Sequence, residues 1–205
     1  CNSSEGSPTR VLLLGTEASG KTTFCKQVVR TFGGGFLKDE RVTTGHVIQS
    51  NILHRLLTIT RTLGQEVMTS HEEARAGYDV IECVAQCEFD YMEGDRFVPE
   101  VGEAVARVLR HPEVQRVLNA DFYKAPWDYK FFNDVARIFS KDWEPTDGDI
   151  LNCRKPTVGQ NAYGPFDVSP RLSLTLVDVG GQRTERKSWL AEIEKADSIV
   201  FLVSS

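Results

Sequence analysis

The 205-residue sequence has no apolar run long enough to span a bilayer, so nothing in it reads as transmembrane. It opens CNSSEGSPTR, with neither an initiator Met nor the apolar stretch of a signal peptide; the numbering is expected to start inside a longer natural protein. It also lacks positive excess. Against 24 Lys and Arg stand 29 Asp and Glu, a formal charge of −5, and that argues against nucleic acid as a main partner. Internal repeats and low-complexity segments are missing. The five cysteines are scattered and odd in number, as suits a reduced intracellular chain. Cys83 and Cys87 stand at i,i+4, but no His or carboxylate cluster completes a metal site around them, so they read as core or surface thiols. Asn2-Ser3-Ser4 matches a glycosylation sequon that such a chain would leave idle.

With 40% hydrophobic and 26% charged residues, the chain has enough material for one large domain or two small ones. Its pattern changes class twice. Val11 to Leu14 form a continuous apolar run ended by Gly15, as in a strand buried on both faces. A helix is expected from about Gly20, carrying Phe24, Val28 and Val29 inward, up to the flexible boundary Gly33-Gly34-Gly35. From about residue 37 to 150 the period is helical. Ile48, Ile52, Leu56, Ile59 and Leu63 make one stripe, widened by Leu53 and Leu57. Val80, Ile81, Val84 and Ala85 mark a second helix, and Val101, Val105 and Leu109 a third. After the break at His111-Pro112, Val114, Val117 and Leu118 begin a fourth, and Phe131, Phe132, Val135 and Ile138 supply a fifth apolar face. Strand character returns with RLSLTLVDV at 171–179, paired with Phe166 to Val168 through a turn at Ser169-Pro170, and the chain closes on the apolar strand Ile199 to Val203. The expectation is an α/β nucleotide-type fold with an all-helical insert: residues 1–35, then 36–150 helical, then 151–205. Ending straight after a buried strand would leave an uncovered face, so more chain is expected to follow.

Three stretches carry chemistry. Gly15-Thr16-Glu17-Ala18-Ser19-Gly20-Lys21-Thr22 fits G-x-x-x-x-G-K-[ST]. In such a loop the glycines let the backbone wrap phosphate oxygens, and the following helix adds its free N–H groups and positive dipole end. Lys21 would reach the β- and γ-phosphates and the Thr22 hydroxyl a Mg²⁺ ion; a Gly-containing turn with a solvated lysine is the plainer alternative. The second stretch is DVGGQRTERKSW at 178–189. There Asp178, at a strand's end, is suited to hold Mg²⁺ through water, Gly181 to bring its N–H to a γ-phosphate, and Gln182 to orient an attacking water. Taken alone it reads equally as a Gly-Gly turn before a charged helix face; beside the first motif the phosphate reading prevails. The third is LNCRKPTVG at 151–159. Arg154 could stabilise charge on a transferring phosphoryl group, and Thr157 could be a second Mg²⁺ ligand. An isolated Arg-x-x-Thr means little, and its weight comes from lying between the helical block and the strand leading to DVGGQ.

The combination of GTEASGKTT, DWEPTDGDILNCRKPTVG, DVGGQRTERKSW and ADSIVFLVSS resembles a heterotrimeric G-protein α subunit, from the first strand to the strand after the second switch segment. Arf-type and Ras-type GTPases lack the long helical insert. The resemblance implies a Ras-like P-loop GTPase domain, incomplete as given, with an inserted all-α domain, and a switch that binds GTP or GDP with Mg²⁺ and hydrolyses GTP. It implies nucleotide contacts from Glu17, Ala18, Ser19, Gly20, Lys21, Thr22, Thr23, Leu151, Asn152, Cys153, Arg154, Thr157, Asp178 and Gly181. Thr22, Thr157 and Asp178 (through water) would serve the metal, with Arg154 and Gln182 as catalytic residues. Implied partners are βγ subunits gripping Arg183, Arg186, Lys187 and Trp189, a G-protein-coupled receptor or other exchange factor, an RGS-type activator and downstream effectors. The implied place is the cytosolic face of the plasma membrane, reached peripherally through an N-terminal segment missing here or through partners, which makes Cys1 a poor acylation candidate.

Two departures stand out. The family's usual loop reads GAGESGKST, whereas here Glu17 replaces a glycine and Ala18 the glutamate that follows. A carboxylate about 5 Å from a phosphate charge would be repelled by roughly 3 kcal/mol at an effective dielectric near 20. Glu17 could therefore obstruct hydrolysis, or swing outward and pair with Arg154 in place of the lost glutamate. No Asn-Lys-x-Asp or Thr-Cys-Ala-Thr occurs, so guanine preference is inherited from the resemblance alone. The rival readings are a nucleotide-loaded scaffold with little hydrolysis and, further off, a P-loop ATPase or small-molecule kinase.

Overall fold

The computed structural model describes residues 7–87, 92–93, 96–121 and 126–203; Cys1 and the Asn2-Ser3-Ser4 sequon lie outside them. The chain divides into two compact units, residues 1–37 with 154–205, and residues 38–153. Among the described residues no helix is long and apolar enough to cross a membrane.

The first unit is built on a four-stranded sheet. Strand β1 (Thr9–Gly15) lies between β5 (Leu172–Val179) and β6 (Ser198–Leu202), parallel to both, and β4 (Gln160–Ser169) runs antiparallel on the outer side of β5. The apolar run of β1 works on both faces, as side-chain alternation requires. Leu13 packs with Cys25, Phe166 and Leu176 under helix α1 (Lys21–Phe32). Leu12 and Leu14 pack with Val177 and Val179, against Trp189 and Ile193 of the short helix α10 (Trp189–Ile193). Two expectations need correction. Phe24 is 44% exposed because α1 points the stripe Lys21, Cys25, Val28 and Val29 at the sheet, and Phe24 falls beside it. The last strand is no buried strand among the described residues: Ile199, Val200 and Phe201 are exposed on an edge position.

The second unit holds helices α2 (Lys38–Leu63), α3 (Gln65–Thr69), α4 (Glu72–Gln86), α5 (Pro99–Leu109), α6 (Pro112–Asp121), α7 (Pro126–Asn133), α8 (Val135–Ile138) and α9 (Asp147–Asn152). The stripe of α2 supplies its centre, with Ile48, Ile52, Leu53, Leu56 and Ile59 all buried in one core with Ile81, Val101, Val105, Phe131 and Ile138. It is not purely helical. Met92–Glu93 (β2) and Arg96–Phe97 (β3) pair antiparallel. A buried polar residue accounts for their place: Gln49 accepts from the Phe97 N–H at 3.3 Å and donates to the Ile138 carbonyl at 2.9 Å. This unit runs to Cys153, past the expected limit at 150. Thr146 caps α9 in a reciprocal box with Asp149, and Cys153 is buried with its N–H on the Asp149 carbonyl. Burial disfavours the Asp149 carboxylate, but hydrogen bonds from Arg137 (2.9 and 3.0 Å) and Thr146 outweigh it and hold its pKa below the ordinary value.

Candidate phosphate-binding site

The sequence G-x-x-x-x-G-K-T folds as a loop between β1 and α1. Gly20 is the N-cap of α1 at φ 90°, a left-handed conformation that suits glycine. It leaves the first N–H groups of a 12-residue helix facing the loop. Ala18 also stands at positive φ (58°), alone in this among the described non-glycine residues. Ser19 and Lys21 are buried, and Lys21 Nζ donates to the carbonyls of Gly15 and Thr16 at 2.9 Å each and to Ser19 Oγ at 3.4 Å. Burial lowers the Lys21 pKa, with Asp178 opposing that shift.

Beside the lysine, three oxygens converge. Thr22 Oγ1 donates to Asp178 Oδ2 at 2.5 Å, Thr157 Oγ1 reaches the same oxygen at 3.2 Å, and the two hydroxyls are 3.0 Å apart. These residues come from α1, the loop before β4 and the end of β5, which β1–β5 pairing brings level: Leu13 is in register with Asp178. Asp178 is fully buried, and its Oδ1 has no hydrogen-bond partner among the described residues. A buried carboxylate with one oxygen unsatisfied, next to two hydroxyls, fits a hard divalent cation with oxygen ligands.

The glycine at 181 has a packing reason. A Cβ there would lie 2.6 Å from Lys21 Nζ and 2.7 Å from the Thr16 carbonyl, so the chain of DVGGQ can approach the loop only without a side chain. Gln182 is exposed. Arg154 Nη2 lies 3.8 Å from Glu17 Oε1, with side chains 46% and 57% exposed. Of the other expected site residues, Thr23 is exposed on α1, while Leu151, Asn152 and Cys153 belong to the end of α9 in the helical unit. The 183–189 run forms a 3₁₀ turn (Glu185–Ser188) and the start of α10. Arg186 donates to the Gly181 carbonyl at 3.3 Å and lies over the Trp189 ring, whose Nε1 donates to the Gly180 carbonyl at 3.0 Å.

A family model described as G-protein alpha subunit matches residues 2–205. The chain belongs to the G-protein α subunit family. It is 33% identical over 204 residues both to the G-protein complex alpha subunit gpaA of Aspergillus fumigatus and to a guanine nucleotide-binding protein subunit alpha of Colletotrichum trifolii. Identity is 32% over 204 residues to the guanine nucleotide-binding protein alpha-1 subunit of Neurospora crassa. Each alignment covers 95% of this chain and 54% of the relative, so this α-family chain spans about half the length of the curated relatives it matches.

Sequence reasoning missed several polar residues around the α-family site. Glu185 accepts from the Gly159 N–H at 2.8 Å. Glu192, inside WLAEI, is buried, and accepts from Arg10 and Lys195 at 2.7 Å each. A signal was present: Trp189, Glu192, Ile193 and Ala196 share one helical face, so Glu192 is a charge on an inward stripe.

Proposed function

We propose that this chain is the phosphate- and metal-binding part of a GTP-binding, GTP-hydrolysing signalling switch. The observation that carries the reading is the convergence of Thr22, Thr157 and the half-satisfied Asp178 beside the buried Lys21. The hydroxyls of Thr22 and Thr157, with Asp178 acting through water, are the groups that would hold Mg²⁺, which when bound supplies positive charge against phosphate oxygens. Lys21 neutralises the β- and γ-phosphates, while the N–H groups of Ser19 to Thr23 at the start of α1 donate to phosphate oxygens held in their cradle. The Gly181 N–H and Thr157 read the presence of the γ-phosphate. Gln182 aligns a water for in-line attack, and Arg154 stabilises charge as the bond to the leaving oxygen loosens. Glu17 and Ala18 line the loop, Leu151, Asn152 and Cys153 are further nucleotide contacts by likeness to the family, and residues 38–153 correspond to its inserted helical domain.

By the same reading, the surface of Arg183, Arg186, Lys187 and Trp189 grips βγ subunits or effectors. A receptor or other exchange factor and an RGS-type activator act on the switch at the cytosolic face of the plasma membrane. The test is thermal. GTP with Mg²⁺ is expected to raise the melting temperature and ATP with Mg²⁺ to leave it in place. An equal response to ATP points to an ATPase or kinase, and no response to either removes the nucleotide reading.

The Glu17–Arg154 contact favours pairing over obstruction. An exposed pair at 3.8 Å is a loose tether, worth at most ~1 kcal/mol, yet it draws the carboxylate toward the arginine. Glu17→Gly is therefore expected to lower single-turnover GTP hydrolysis by no more than about fivefold, the equivalent of such a tether. A clear gain in the variant would instead support the slow-hydrolysing scaffold, with Glu17 as the obstruction.

A further inference from the structure

Glu192 stands outside the Lys21–Asp178 cluster, a buried carboxylate tied to three separate parts of the chain. It comes from α10, ten residues after Gln182. Arg10 and Gln160 point to the same sheet face as α10. Arg10 alternates in step with Leu12 and Leu14, and Gln160 lies opposite Val179, all members or neighbours of the α10-side core. Arg10 Nη2 donates to Glu192 Oε2 at 2.7 Å and Lys195 Nζ to Oε1 at 2.7 Å. With its carboxamide nitrogen turned to Glu192, the orientation that pairs donors with acceptors, Gln160 donates to both oxygens at 2.7 and 2.8 Å. Gln160 is three residues after Thr157. The helix needs such an anchor, being five residues long without a side-chain cap. Two further bonds run in parallel: the Gly180 N–H donates to the Gly159 carbonyl at 3.0 Å, and the Gly159 N–H to Glu185 Oε2 at 2.8 Å.

We propose that Glu192 is a positioning residue that clamps the 154–160 segment and the 180–193 segment to each other and to β1, so that Thr157 and Gln182 move as one unit. Its charge-assisted bonds to Gln160 and Arg10 must break before either segment shifts alone. The consequence of the clamp for switching rests on the function proposed above.

Hydrogen exchange of the nucleotide-free full chain tests it, read in peptides from 157–163, 180–194 and β1. Glu192→Gln is expected to speed exchange in 157–163 about tenfold, as loss of one charge-assisted hydrogen bond implies, with β1 unchanged. Gln160→Ala, at an exposed position, should do the same to 180–194, and the double variant should add little to either single change. The exchanged pair Gln160→Glu with Glu192→Gln keeps one carboxylate and one carboxamide in contact and should recover most of the protection. Wild-type exchange in 157–163 for Glu192→Gln, full additivity of the two changes, no recovery in the exchanged pair, or equal loosening of β1 each overturns the clamp. A parallel arm adds a non-hydrolysable GTP analogue with Mg²⁺. Wild type should protect both segments at one ligand concentration and Glu192→Gln at two; a single shared concentration in the variant overturns the proposal. If wild type fails to respond at all, the nucleotide reading falls, while the nucleotide-free arm still decides the clamp.

Discussion

Asp178 and Glu192 are both buried carboxylates of the same unit, and they are built in opposite ways. Asp178 receives two neutral hydroxyls on one oxygen and leaves the other without a partner among the described residues. Glu192 has two cationic side chains and a carboxamide on its two oxygens. Burying a charge with its hydrogen bonds unmade is costly, and proteins keep such groups where something else completes them. The contrast separates a site that calls for a further positive ligand from a joint complete in itself.

Neutralising each carboxylate in turn should break the symmetry between them. In the nucleotide-free protein Glu192→Gln is expected to cost about 1–3 kcal/mol, because it weakens several charge-assisted bonds. Asp178→Asn should cost under ~1 kcal/mol or stabilise, since it removes an incompletely compensated buried charge. With GTP and Mg²⁺ the order reverses: Asp178→Asn should lose most of the ligand-induced rise in melting temperature, and Glu192→Gln should keep it. Calorimetric melting of both variants with and without ligand measures this. A large nucleotide-free loss for Asp178→Asn would mean that its carboxylate is already complete.

Acid titration sharpens the same comparison with a smaller effect. Hydrogen bonds from Lys195, then Arg10, hold the Glu192 pKa below its ordinary value despite burial. A carboxylate depressed on folding contributes stability above its unfolded pKa, near 4.3, and loses it as pH falls through the folded value. Wild type should thus lose stability below about pH 4.3 more steeply than Glu192→Gln, and the two curves should converge at the acid end. Parallel curves would assign the acid dependence elsewhere, to Asp149 or Glu82, whose carboxylates are also held below the ordinary value by hydrogen bonds from arginine.

The parts of the fold legible in the sequence were those where one period acts over many residues. The α2 stripe appears in the core as expected, and so does the alternation of β1 between two faces. Candidates on the loop and at Asp178 can be named from the sequence because backbone wrapping and helix start demand fixed spacing, and the fold brings Thr22, Thr157 and Asp178 together. What escaped depends on contacts distant in sequence. Phe24 and Lys21 differ in facing by the phase of one helix against a sheet. The β2–β3 ladder rests on Gln49, 48 residues before Phe97. Glu192 finds Arg10 across 182 residues, and only its place on an apolar stripe hinted at it.

The smallest effect concerns the loop itself. Ala18 holds φ 58°, a region where a Cβ crowds the following carbonyl at roughly 1–2 kcal/mol. Glycine removes that crowding but enlarges the unfolded ensemble, which takes back about 0.4–1 kcal/mol. Ala18→Gly is therefore expected to stabilise the nucleotide-free protein by about 0.5 kcal/mol, measured by denaturant melting. The substitution leaves the carbonyls that Lys21 holds, at Gly15 and Thr16, untouched. Nucleotide affinity should then stay within about twofold. Destabilisation by Ala18→Gly would mean that the left-handed turn is held by the methyl group's own contacts, and that Glu17 is aimed at Arg154 by packing rather than by the turn.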